Sequence, residues 1–388
     1  MATERARSEN PFVFDRPLGA AEDLVARDEE LADLTDAIES GADALIEGPP
    51  RHGKTSLANA ALAEFSTAGG GLAVRIDCAG VLTSADFVRR LEEAFARAWA
   101  QGPVEQALVE RLEGVPFRLA DAGEQQATDS RLKALLAIPG EVAEETGRRA
   151  VISFDDVQDA LAIPGLVDAI QTNDEARLAR IFTGADLSSR DPVLWGAGTR
   201  SVTVGTIEPI FFATAIIQRF GATGRDAGEA ARAVSILGAG HPQRTSLIAA
   251  QLWELTPEGE RATVVAAHEA LERALARCTP EFETRWEALH GNERRVAVAI
   301  ASDLAPQGTR AQRATGLAGF GAAQRALQGI TSSGVARQRD DRVTLTDPLF
   351  AEWLRRRYVQ FPAEPDWQAM RQRERERGME RRGTERET

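Results

Sequence analysis

The sequence predicts an α/β fold: a parallel sheet with helices on both faces, followed by an all-helical stretch and a small unit of helices and a hairpin. Three observations carry this expectation. Five short apolar runs alternate with helical stretches before residue 208, the pattern of a parallel sheet covered on both sides. The first run leads directly into a glycine-containing loop, GPPRHGKT at 48–55, and then into a helix. The third run closes on two carboxylates, Asp155 and Asp156.

Residues 18–40, LGAAEDLVARDEELADLTDAIES, place apolar side chains at helical spacing among acidic ones, and Gly41 ends the run. Strands are predicted at 42–47, 71–78, 149–155, 179–183 and 201–206. Helices are predicted at 55–65, at 84–99 and again from near Arg131, after a polar excursion over 100–130. Between 209 and 278 the strand signals stop, and helical segments follow one another, punctuated by Gly221, Gly238, Gly240, Pro242 and Pro257. Helices at 284–303, 309–316 and 320–331 come next. Strand pieces at 335–338 and 342–346 flank the turn Arg339-Asp340-Asp341, and Asp347-Pro348 opens a last helix through 357. That order is a winged helix. The expected domains are a core (1–207), a helical lid (208–280), a winged helix (281–360) and a charged, flexible tail (361–388).

Composition narrows the function classes. A content of 43% apolar residues is globular, and no stretch reaches the roughly 18 uncharged apolar residues of a membrane helix. The opening MATERARSEN lacks the apolar centre of a secretory signal, so a cytoplasmic protein is expected. Cys78 and Cys278 stand far apart without a CxxC pattern, which predicts two plain buried or half-buried thiols, with no zinc site or disulfide. The net charge of −13 is uneven: −16 over residues 1–280, +3 over 281–360 and zero over 361–388. An acidic body repels nucleic acid, so any polyanion must meet the mildly basic 281–360 unit. Of 46 basic residues only Lys54 and Lys133 are lysines. Lys54 stands where a compact ammonium suits phosphate oxygens.

The loop has the form G-x-x-x-x-G-K-[ST], a phosphate-binding P-loop. Gly48 and Gly53 let the backbone curl with its N–H groups inward, and Pro49, Pro50, Arg51 and His52 complete the turn. The helix that follows adds its positive end. In this chemistry Lys54 bridges the β- and γ-phosphates of ATP and Thr55 holds Mg²⁺ through its hydroxyl, with Ser56 beside it. The strand VISFDD presents Asp155 to the same Mg²⁺ and Asp156 as base for an attacking water. The strand between the two motifs makes this a P-loop NTPase of the additional-strand class. His52 reads as a variable loop position, and His268 and His290 as surface or cap residues. Trp353, Leu349, Phe350 and Leu354 read as packing.

These motifs resemble the STAND and archaeal-type P-loop ATPases, an AAA+-like group. The resemblance rests on the RDEEL helix start at Arg27, GPPRHGKTSL, FDDVQ, RIFTGAD, Gly240-His241-Pro242, and DPLFAEWLRRR. It implies an ATP-binding core, a lid and a winged helix. It also implies that Asp155 is the metal residue, Asp156 the base, Thr183 a γ-phosphate sensor, and His241-Pro242 part of the adenine-side lid. Relatives usually carry Glu at the position of Asp156, and the shorter side chain implies slow hydrolysis. Ala185 and Asp186 replace a small-hydroxyl ending, WGAG at 195–198 lacks an expected arginine, and Arg190 and Arg200 are the nearby candidates for a trans-acting finger.

Two functional classes follow. One is an ATP-operated, slowly hydrolysing switch that signals through a separate protein or another copy of the chain. The other is a DNA-binding ATPase of the initiator or transposition-helper kind, reading duplex with Gln324, Arg325 and Gln328 and with Arg337, Arg339 and Arg342 on the wing. The charge distribution ranks the switch first.

Overall fold

The structure, a computed structural model, describes residues 9–99, 124–172, 177–185, 187, 198–339 and 342–359. It falls into two compact units that divide between Arg277 and Cys278.

The first unit is built on five parallel strands: β1 (Ala44–Glu47), β2 (Leu72–Asp77), β3 (Ala150–Asp155), β4 (Leu178–Gly184) and β5 (Arg200–Thr203), in the order β2-β3-β4-β1-β5. This is the sheet of a P-loop NTPase of the additional-strand class, because β4 lies between the loop strand β1 and the acid-bearing strand β3. Side-chain alternation splits the apolar residues between two cores. Val74, Ile76, Ile152, Phe154 and Phe182 face α3 (Ser84–Trp99), α4 (Glu124–Thr146) and α5 (Leu166–Thr172). Ala44, Ile46, Val151, Ile181 and Val202 face α1 (Asp28–Ser40) and α2 (Lys54–Thr67). Every residue of β3 is buried, which is why its sequence reads as a continuous apolar run.

Three helices complete this unit, α6 (Pro209–Ala222), α7 (Ala230–Leu237) and α8 (Pro242–Leu255), and a fourth, α9 (Val264–Ala288), runs across its limit. The second unit holds α10 (Gly291–Ala301), α11 (Thr309–Thr315), α12 (Phe320–Ser332), the antiparallel hairpin β6 (Ala336–Arg339) and β7 (Arg342–Leu345), and α13 (Pro348–Tyr358). Leu349, Phe350, Trp353 and Leu354 are buried there, and the Phe282 and Phe350 rings lie 5.5 Å apart. These four residues pack, as their spacing predicts.

Three boundaries differ from the sequence expectation. Residues 18–40 are not one helix: a short turn at Ala21–Asp23 precedes α1, which starts only at Asp28. Leu18 is held outside a helix because its N–H donates to Ser56 Oγ (3.0 Å) and its carbonyl accepts from Asn59 (3.0 Å). The helix expected near Arg131 begins at Glu124 and continues through Pro139. The helix expected over 284–303 is two helices, because His290 caps α10 and its N–H donates to Glu293 at 2.8 Å. The expectations for most of the 100–130 excursion, Asp186, Arg190, residues 195–197, the Asp340-Asp341 turn and the tail fall outside the described residues.

Phe154 is fully buried and stacks between Phe87 (6.4 Å) and Phe182 (5.1 Å), tying β3 to α3 and β4. Phe154→Ala is expected to destabilise the sheet unit by about 3–5 kcal/mol through lost contact and cavity formation. Urea unfolding followed by far-UV circular dichroism checks this; a loss below about 1 kcal/mol would show that the stack does not anchor β3.

Candidate functional site: a phosphate loop facing an acidic strand end

The loop after β1 curls because two of its residues take left-handed backbone, Arg51 at φ 63° and Gly53 at φ 94°. Gly48 is needed for a different reason: a Cβ there would stand 2.3 Å from the Val204 carbonyl oxygen, where the chain leaving β5 crosses the loop. α2 then starts at Lys54, so its unpaired N–H groups point at the loop's mouth. Lys54 Nζ donates to the carbonyls of Gly48 (2.9 Å) and Pro49 (3.2 Å).

Across the mouth lies the C-terminal end of β3. Asp155 is 4% exposed. Its Oδ1 accepts from Thr55 Oγ1 at 2.9 Å and from Thr183 Oγ1 at 2.5 Å, and its Oδ2 accepts from Arg75 Nη2 at 2.5 Å. Thr183, fully buried on β4, also accepts from the Asp156 N–H at 3.0 Å, so one hydroxyl fixes both acids. Asp156 stands at φ 51°, ψ 47°, a conformation that a non-glycine residue holds only when its surroundings impose it. Burial, then the neighbouring Asp155 charge, raise its carboxyl above the usual range, against opposing pulls from Lys54 and a hydrogen bond from Gln158. Gln158 is itself set by β4, for a Cβ on Gly184 would meet its Oε1 at 2.5 Å.

Arg51, Gly53, Lys54 and Thr55 face Asp156 and Gln158 across a cleft of about 490 Å³ that Pro50, Ser56 and Ala185 also line. It shares Arg51, Gly53, Ser56 and Gln243 with an apolar recess lined by Val13, Phe14, Leu24, Val25, Ile207 and Pro242. The sequence-predicted site residues therefore converge: Lys54, Thr55, Asp155, Asp156 and Thr183 at the acidic end, and Pro242 at the apolar end. Ser56 Oγ is used structurally, accepting from Leu18. Arg200 lies at the start of β5, its Nη1 3.4 Å from Asp33 Oδ1, in register with Ala44 at the start of β1 and so at the opposite end of the strands from the loop.

Some of the site was not anticipated. His52, within the loop, is fully buried, with its Nδ1 3.0 Å from the Pro50 carbonyl oxygen and its ring 4.4 Å from that of His241, the residue that caps α8. A strap before residue 19 runs against the helices: Asn10 donates to the Ala250 carbonyl (3.2 Å), Gln243 donates to the Phe14 carbonyl (3.0 Å), and Phe12 packs on Phe220. Arg27 is buried and donates to the Gly205 carbonyl at 2.5 Å. Arg75 had one sequence signal, a charge in an otherwise apolar strand on the same face as Asp77. Both cysteines are buried, and burial, assisted by the charge of Asp155, raises the Cys78 thiol far above its usual range.

No protein-family model matches the sequence, and no curated protein matches it. Solved structures do. The Walker-type ATPase PABY2304 of Pyrococcus abyssi is 18% identical and superposes with a TM-score of 0.64 over 88% of this chain and 99% of that one. The ORC2 protein of Aeropyrum pernix, solved as ADPNP–ADP complexes, is 16% identical with a TM-score of 0.58 over 90% and 96% of the two chains. At this identity the likeness establishes the fold, which is that of Walker-type P-loop ATPases.

The raised Asp156 carboxyl gives a stability prediction for the nucleotide- and metal-free protein. The folded state binds more protons than the unfolded state between the ordinary Asp value of 3.8 and the raised one, so Asp156 reduces stability as pH rises through that window. Asp156→Asn is expected to raise the unfolding temperature near neutral pH and to lose this advantage below about pH 4. A gain that does not shrink on acidification would contradict the assignment.

Proposed function

We propose that the chain binds ATP with Mg²⁺, hydrolyses it slowly, and uses the nucleotide state as a switch read by a partner protein or by another copy of itself. The observation that carries this reading is the junction of Thr55, Asp155 and Thr183 across the cleft from Lys54. A hydroxyl and a carboxylate 2.9 Å apart are the oxygen donors that Mg²⁺ takes in phosphate sites. Thr55 and Asp155 would hold the ion, which when bound would neutralise negative charge on the phosphates.

The chain's own residues account for the rest. The loop N–H groups and the start of α2 cradle phosphate, and Lys54 moves from the Gly48 and Pro49 carbonyls to the phosphate oxygens. Asp156 accepts the proton of the attacking water as its oxygen adds to the γ-phosphorus and the bridging P–O bond breaks. Thr183 holds Asp156 through its N–H and so relates the base to the metal residue. The apolar recess beside Pro242 receives the adenine ring. Residues 208–280, α6 to α8 and the first part of α9, serve as the lid, and the His52–His241 contact joins the lid to the loop. Residues 281–360, with their helices and hairpin, are read as a winged helix. A cytoplasmic location fits the described residues, among which no helix is long and apolar enough to cross a membrane.

DNA binding is the alternative. Gln324, Arg325 and Gln328 are exposed on α12, opposite buried Ala323, Ala326 and Ile330, as a helix that reads duplex would require. A charge of +3 on that unit supports only a few phosphate contacts beside an acidic neighbour, so the switch remains preferred.

Lys54→Ala is expected to abolish ATP turnover, and Lys54→Arg to fail as well because a planar guanidinium does not replace a point charge. Asp155→Ala should lose magnesium-dependent binding, whereas Asp156→Asn should retain bound nucleotide and stop phosphate release. A phosphate-release assay paired with a fluorescent-nucleotide titration separates these outcomes. Wild-type turnover in Asp156→Asn would remove Asp156 as the base.

A further inference from the structure

Asp155 has a partner that phosphate chemistry does not call for. Arg75 sits on β2 two residues before the strand end, beside Ser153 of β3 in register. From there its Nη2 reaches Asp155 Oδ2 at 2.5 Å, the oxygen left over once Thr55 and Thr183 have taken Oδ1. The pair is lopsided: the Asp155 side chain is 6% exposed and that of Arg75 is 36% exposed. The acid cannot reach water, but the guanidinium can leave without being stranded. Asp77 and Asp156 lie close enough to act on one another electrostatically, and Asp77 and Asp155 both act on Cys78 between the strands. Arg75 therefore compensates a concentration of negative charge at the position where a divalent cation is expected.

Resting on the reading of Asp155 as the magnesium residue, we infer that Arg75 is a resident counter-ion that neutralises Asp155 through Oδ2 in the nucleotide-free protein and so competes with a divalent cation for that carboxylate. A cation arriving alone must displace a guanidinium already in contact with the carboxylate, and gains little. A cation arriving with a polyphosphate brings negative charge that Arg75 can turn towards, and the exchange becomes favourable. Arg75 thereby ties metal binding to nucleotide binding and keeps the acidic strand end from collecting stray divalent ions.

The test needs no nucleotide, so it can fail separately from the ATPase reading. Mg²⁺ is titrated into the full-length protein while the unfolding temperature is followed, and Mn²⁺ binding is measured by electron paramagnetic resonance. The wild type is expected to respond weakly. Arg75→Gln is expected to bind Mn²⁺ about tenfold or more tightly than the wild type, as removing a positive charge in contact with the site requires, and to gain a Mg²⁺-dependent rise in unfolding temperature. Adding Asp155→Asn to Arg75→Gln should erase both gains. Arg75→Met, which keeps the aliphatic stem, should show the same gain and serves if the glutamine variant does not fold. Equal cation binding in wild type and the Arg75 variants, or a gain that survives Asp155→Asn, would overturn the inference. If the inference holds but ATP does not bind, only the ATPase reading fails.

Discussion

A carboxylate buried at the end of a central strand is costly unless every oxygen is engaged. Asp155 meets that condition through three side chains from three elements: Thr55 at the start of α2, Thr183 on β4 and Arg75 on β2. The arrangement of the site follows from this. The Thr55 contact sets the distance between the phosphate loop and the acidic strand end. The Thr183 contact makes the intervening strand part of the site, and the same hydroxyl fixes Asp156 in its left-handed conformation. Replacing one partner exposes the others to an unpaired charge, so the site behaves as a unit.

The loop is also tied to the helices that follow the sheet. His52 lies inside the loop and packs its ring on His241 at the cap of α8, while Gln243 two residues further on holds the strap at Phe14. The strap reaches back to α2 through Leu18. Under the proposed function, a loop that tightens around phosphate pulls on α8 through His52 and on the strap through Ser56. Nucleotide state then reaches the lid by contacts already in place.

The fold was legible because its signals are local. All five strands fall within three residues of the expected positions at each end, since a covered parallel sheet writes continuous apolar runs, and the P-loop spacing is fixed by backbone geometry. The paired acids were legible for the same reason, being a strand end. Tertiary contacts were not: nothing in GLAVRIDC states that Arg75 crosses to β3, and nothing in GPPRHGKT states that His52 turns inward. The single helix expected over 18–40 failed because helical periodicity there yields to two hydrogen bonds with α2 that take up the Leu18 N–H and carbonyl. Gln158 stood in a recognised segment, FDDVQ, but its contact with Asp156 depends on the bare Cα of Gly184 in a different strand.

The central claim is that the cleft between Lys54 and Asp155 is a nucleotide site. Isothermal titration of ATP into the unmodified full-length protein, with Mg²⁺ and then with a chelator, tests it most directly. The account predicts saturable binding of one ATP per chain that weakens sharply when the cation is removed. Absence of saturable heat under both conditions, or binding indifferent to Mg²⁺, would contradict it.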